Sequence, residues 1–204
     1  MHMTTLIVDD FFANPDAIRR EALSLEFPEA PASANYPGRN ASTRLEIQGL
    51  NNVFSQLVQE RLRPRQNSGH GRPRLALAQE KGACDVHMDF NHWSAIVFLS
   101  RPEDCCEGTH FFRHKRTGWD RAPVFPGEAE AAGYASGREA IEDVLQTDCN
   151  NPDAWDLTHT MPMKYNRLVM FRGYLWHDAG RSFGDSPENG RLILPFFFDN
   201  VDAG

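Results

Sequence analysis

The hydrophobic pattern changes period along the chain. Thr5-Leu6-Ile7-Val8 is strand-like, and Asn14-Pro15-Asp16 offers an N-cap followed by proline at the first helical position, so a helix is expected from Pro15 to about Leu25. Val53, Leu57, Val58 and Leu62 recur at helical spacing and predict a second helix from about Asn52 to Leu62, packing one face on a sheet. From Arg74 onward short strand-like runs take over. Arg74-Leu75-Ala76-Leu77-Ala78-Gln79 is short and partly apolar, and Trp93 to Ser100 and Arg167 to Phe171 are runs suited to buried strands. Leu175 to Gly180 reads as the start of a further strand. The polar turn Gly184 to Gly190 then leads into Arg191-Leu192-Ile193-Leu194-Pro195-Phe196-Phe197-Phe198, so Leu175–Gly180 and Arg191–Phe198 are expected to be the two arms of a hairpin.

Chemistry-bearing residues fall at particular places in this pattern. His87-Met88-Asp89 lies between two strand-like runs, and side chains at i and i+2 of an extended segment share a face, so His87 and Asp89 can chelate one ion. His177 and Arg191 sit on the two expected hairpin arms. Two imidazoles and one carboxylate form the ligand set that holds a non-haem Fe(II) on one face and leaves positions open. A nearby arginine can hold a carboxylate.

This conjunction of His-x-Asp, a Leu-Val-Met-Phe strand, a distal histidine and a Gly-Arg opening an apolar strand resembles the Fe(II)/2-oxoglutarate-dependent oxygenases. Within them it is most similar to the prolyl 4-hydroxylase-like branch, over roughly residues 73–112 and 160–199, with Glu107-Gly108-Thr109 similar to a Glu-Gly-Gly-x stretch of that branch. The resemblance implies a mainly β fold with flanking helices (α+β): a double-stranded β-helix, or jelly roll, with N-terminal helices packed on one sheet. It implies that His87, Asp89 and His177 are the iron ligands and catalytic centre, with Arg191 at the distal carboxylate of 2-oxoglutarate as co-substrate and O2 as oxidant. Arg181 and Lys164 are rival anchors for the co-substrate. The retained carboxylate Asp89 favours hydroxylation over halogenation, on an amino acid, a peptidyl residue or a small natural product. The chain departs from the branch between Arg74 and Cys84, where no tyrosine is found, and this leaves the second 2-oxoglutarate contact open. Cupin-like barrels that bind metal or a small ligand without turnover are the competing class.

Composition narrows the setting. At 204 residues and 41% hydrophobic content, the chain is expected to form one domain over 1–204. A formal charge of −7 argues against a nucleic-acid partner, and no apolar run is long enough for a membrane span. With no signal-peptide pattern, a cytoplasmic location is expected. Cys84, Cys105, Cys106 and Cys149 form no C-x-x-C pair, so reduced thiols are expected rather than zinc ligands or a disulfide framework. Residues 113–163 interrupt the strands with Trp119, Phe125, Tyr134, Trp155 and a helix expected at Gly137–Gln146. They form either a lid-like, substrate-contacting insertion or a segment glued to the barrel by its aromatics. Of the two nearby histidines, His110 is expected to line the pocket and His114 to be exposed. Tyr36-Pro37-Gly38-Arg39-Asn40 reads as a surface connection, with Tyr36 and Arg39 as the residues that could instead reach the mouth of the site.

Overall fold

The computed structural model describes residues 2–31 and 34–202. In chain order it contains β1 (Thr5–Val8), α1 (Pro15–Leu23), β2 (Arg39–Asn40), α2 (Leu50–Val58), β3 (Leu62–Pro64), β4 (Arg74–Ala76), β5 (Trp93–Phe98) and β6 (Gly108–His114). Then follow α3 (Glu128–Ala131), α4 (Gly137–Asp148), β7 (Trp155–Pro162), β8 (Leu168–Arg172), β9 (His177–Asp178) and β10 (Arg191–Asn200).

Two antiparallel sheets face each other in a jelly-roll-like arrangement. The larger runs β1-β8-β5-β10-β4-β2, with β3 taking over from β4 along the far half of β10; the smaller runs β7-β6-β9. Strand alternation sorts the side chains of the larger sheet. Trp93, Ala95, Val97, Leu168, Met170, Leu192, Leu194, Phe196 and Phe198 join Ala22 of α1 and Leu50, Phe54 and Val58 of α2 in one buried cluster. Their neighbours Phe98, Val169, Phe171 and Ile193 point the other way and pack with Phe111 and Met161 of the smaller sheet. Because both faces are covered, these strands read as near-continuous apolar runs.

The structure corrects several expectations. The buried face of α2 is Leu50, Phe54 and Val58, while Val53 is exposed. The helix stops at Gln59, which has a left-handed φ of 57°, and Leu62 already belongs to β3. β9 and β10 are not a hairpin: β9 pairs with β6, whereas β10 pairs with β3, β4 and β5. The turn between them crosses from one sheet to the other, so His177 and Arg191 approach the interior from opposite walls. His114 is fully buried rather than exposed, with its ring nitrogens on Thr117 and Asp148.

The insertion is shorter than expected, because β6 continues to His114 and β7 begins at Trp155. Ala122, Ile141, Val144 and Trp155 pack with Val86, Met88 and Trp176. The segment therefore presses on the back of the His-x-Asp stretch through Met88, which alternates away from His87 and Asp89. All four cysteines are free, and no helix among the described residues is long and apolar enough to cross a membrane.

Candidate metal centre

His87 is not part of a regular strand. It forms a single antiparallel bridge to His177, with each backbone N–H donating to the other's carbonyl at 2.9 Å. Two residues on, the Asp89 N–H donates to the Gly173 carbonyl at 2.8 Å. Gly173 is required there: a Cβ would lie 2.3 Å from the Asn91 oxygen and 2.8 Å from the Asp89 oxygen. The β8–β9 turn and the His-x-Asp stretch are thus laced together, and this brings in the distal histidine.

His87, Asp89 and His177 are buried, and one ligand atom from each lies within 4.8 Å of the others. His177 Nε2 approaches Asp89 Oδ2 at 3.6 Å. The Nδ1 atoms lie 2.9 Å (His87) and 2.8 Å (His177) from the carbonyls of Asp85 and Leu175, two residues upstream in each case. Donation from Nδ1–H to those carbonyls leaves both Nε2 lone pairs for a metal. Burial, with His177 alongside, pushes the His87 imidazolium down to about 4, so the ring is neutral near pH 7. Burial alone would raise Asp89, but His177, His87 and Ser94 outweigh it and hold the carboxyl below its usual range. The donor set is two neutral imidazoles and a carboxylate, and it can hold a divalent transition metal.

Asp89 is oriented from both sides. Ser94 Oγ donates to Oδ2 at 2.5 Å and the Tyr36 hydroxyl to Oδ1 at 2.7 Å. The Tyr36 ring meets His87 edge-on, with centroids 4.7 Å apart. Tyr36 is therefore a wall of the site, not part of a plain surface connection. The sequence favoured the surface reading for it, because nothing local signals a partner 53 positions away.

Beside the triad lies a narrow cavity of about 40 Å³. Ser94, Ile96, Phe171, Arg191, Ile193 and Phe197 come to it from the larger sheet, and Thr109, His177 and Asp178 from the smaller. Arg191 is 2% exposed, and its Nη2 is buried without a hydrogen-bond partner. The Thr109 Oγ1 is a second buried atom without one. Burial, with Arg74 nearby, pushes the Arg191 guanidinium down to about 10, still charged near pH 7. Two donors without protein partners in a narrow, mostly apolar cavity beside the His87-Asp89-His177 triad fit an anionic oxygen group, because a buried guanidinium left unpaired is costly. Arg74 is also buried in this wall, opposite Ile193 in the register, a placement hidden while its strand partner was unknown.

The remaining candidates lie elsewhere. Arg181 is exposed and faces Glu107 at 3.5 Å, so it does not line the cavity. Lys164 is half-exposed and pairs with Asp9. His110 lies 3.0 Å from Asp178 at the rim and does not line the cavity either. No residue of the insertion lines it.

The fold is that of the non-haem 2-oxoglutarate-dependent enzymes. The non-heme alpha ketoglutarate dependent carbocyclase SnoK from nogalamycin biosynthesis is 12% identical, with a TM-score of 0.57 over 98% of this chain and 80% of that one. The epimerase SnoN from the same biosynthesis is 15% identical, with a TM-score of 0.50 over 97% and 79%. HygX from Streptomyces hygroscopicus, solved with nickel and 2-oxoglutarate bound, is 15% identical, with a TM-score of 0.45 over 98% and 84%. The chain itself belongs to the Family of unknown function (DUF6445), whose model matches residues 2–198. No curated protein matches it.

Proposed function

We propose that this protein is an Fe(II)- and 2-oxoglutarate-dependent dioxygenase that hydroxylates a small molecule or an amino-acid side chain. The observation that carries the reading is the buried His87-Asp89-His177 triad sharing one cavity with the unpartnered donors of Arg191 and Thr109. When bound, iron and 2-oxoglutarate supply the oxidising chemistry that places one oxygen atom of O2 in a substrate C–H bond and the other in succinate, with release of CO2.

The side chains have separable parts in this reading. His87, Asp89 and His177 hold the metal, with the two carbonyl-bound Nδ1 atoms fixing the tautomers. Arg191 and Thr109 donate to the far carboxylate of 2-oxoglutarate, which supplies the contact that the missing tyrosine left open. Ile96, Phe171 and Ile193 keep the surroundings dry, which strengthens those charge-assisted bonds. At about 40 Å³ the cavity is narrow for a five-carbon diacid, so its lining side chains adjust on binding.

Turnover distinguishes this enzyme from a cupin-like barrel that only binds. Protein loaded with Fe(II) under air should convert labelled 2-oxoglutarate to succinate and CO2 slowly even without a substrate, and His177→Ala should remove that release. Iron-loaded protein that releases no succinate above the iron-only background would remove the dioxygenase reading.

A further inference from the structure

A second, larger space opens outside the metal cavity and shares a wall with it. This cleft of about 570 Å³ lies between residues 28–31 and 34–42, the loop carrying Ser68 and Arg72, and the end of β10; Tyr36, Arg74, Asp89 and Phe197 line both spaces. Three arginines, Arg65, Arg72 and Arg74, and two carboxylates, Glu29 and Asp89, line the cleft. Arg74 is nine-tenths buried. Its Nε donates to Asn40 Oδ1 at 2.8 Å, and its guanidinium carbon sits 4.6 Å from the centroid of the Tyr36 ring. Its Nη2 points towards Gly69, where a Cβ would lie 3.8 Å away, so the end of the guanidinium faces the cleft. Among the described residues no carboxylate comes within ion-pair distance of it. Arg72 adds a buried Nε without an acceptor on the same wall.

Other arginines at or near this cleft have a carboxylate beside them, although the Arg39 Nε, like that of Arg72, makes no hydrogen bond. Arg65 pairs with Asp199 at 2.7 Å, and Arg39 Nε lies 2.8 Å from Glu80. Of the carboxylates in the lining, Glu29 is exposed at the rim and Asp89 belongs to the triad. Unpaired guanidinium charge in a partly dry wall is destabilising unless an anion completes it. Arginine's planar fork matches a carboxylate or phosphate. Apolar surface adjoins it: Phe90, next to Asp89, is 66% exposed, and Phe197 lies across the cleft.

We propose that this cleft is the substrate site, that Arg72 and Arg74 recognise a carboxylate or phosphate on the substrate, and that Phe90 and Phe197 receive its apolar part. The assignment deepens the dioxygenase reading and rests on it for the identity of the occupant as substrate. A small anionic metabolite with an apolar body fits the site, and its anion anchored at Arg72 and Arg74 brings that body past Asp89.

The test uses the full chain loaded with Mn(II) and saturated with 2-oxoglutarate, so that the Arg191 site is already filled. Hippurate, phenyl phosphate and neutral hippuramide are added in turn, and metal-induced broadening of their aromatic proton signals is read by NMR. Broadening of an anion but not of hippuramide is expected, with apparent affinity weakened about tenfold or more in Arg72→Met and Arg74→Met, as for loss of a charge-assisted hydrogen bond. Which anion is broadened more separates a carboxylate site from a phosphate site. Arg72 lies on a loop, so its variant keeps the test decisive where Arg74→Met fails to fold. Equal broadening by hippuramide, an anion preference untouched in Arg72→Met, or no broadening by either anion up to about 10 mM would overturn the proposal. If the anions bind through these arginines but 2-oxoglutarate does not bind the metal-loaded protein, the dioxygenase reading fails while the anion site stands.

Discussion

Thr109 lines the cavity beside Arg191, and unlike Ser94 and Tyr36, whose hydroxyls donate to Asp89, its hydroxyl has no partner. If it donates to the co-substrate, Thr109→Val keeps the shape and removes one hydrogen bond of roughly 1.5 kcal/mol. The apparent affinity for 2-oxoglutarate should then fall about tenfold, with Fe(II) affinity unchanged, in a calorimetric titration; equal affinity in the variant would detach Thr109 from the site. Gly173 acts through geometry. Gly173→Ala would drive a Cβ into the backbone carbonyls of Asp89 and Asn91, so it should weaken Fe(II) binding without altering a ligand. Unchanged metal affinity would show that the β8–β9 turn does not position Asp89. The triad was legible in the sequence because its chemistry is carried by residue types at a readable spacing. Thr109, Arg74 and Tyr36 were not, since each acquires meaning from strands that meet only in three dimensions.

The elements divide into those set by their own pattern and those set by their neighbours. Asn14, whose side chain accepts from the Ala17 N–H at 3.1 Å, and Pro15 start α1 where the sequence places it. Ser136 caps α4 in the same way through the Glu139 N–H. α2 was displaced because its apolar positions admit two stripes, and the larger sheet selects the one carrying Phe54. That ring contacts Phe11, Phe196 and Phe198 with centroids 4.9 to 5.6 Å apart. Phe54→Ala should therefore cost about 3–5 kcal/mol in urea unfolding, against about 0.5 kcal/mol or less for Val53→Ala on the exposed face. Comparable losses at the two positions would contradict the packing. The hairpin expectation failed for a related reason: a polar turn between two apolar segments marks a reversal, but it cannot say whether the chain returns to the same sheet or crosses to the facing one. The insertion packs Ala122, Ile141 and Val144 with Met88 and Trp155 in a shared buried cluster and buttresses the His87-Met88-Asp89 stretch.

Across the whole molecule, imidazoles set the response to acid. Burial lowers His70, His87 and His114, partial desolvation lowers the exposed His159, and only His110, beside Asp178, is raised among the histidines with a resolved shift. The unfolded chain takes up protons as pH falls through about 6.5 while these four folded histidines resist, so the metal-free protein should lose stability from pH 7 towards 5. Chemical denaturation in chelator at several pH values checks this, and stability that is flat or rising over that window would count against the buried, neutral assignments. The facing sheets bring a metal triad from one side and a buried guanidinium from the other into one cavity, and that convergence is the central claim. Its most direct test is an anaerobic titration of the metal-free protein with Fe(II) and then 2-oxoglutarate, read by visible absorption. The native protein should show a metal-to-ligand charge-transfer band, lost in Asp89→Ala and requiring far more 2-oxoglutarate in Arg191→Met. Iron bound without a band, or a band indifferent to Arg191, would contradict that convergence.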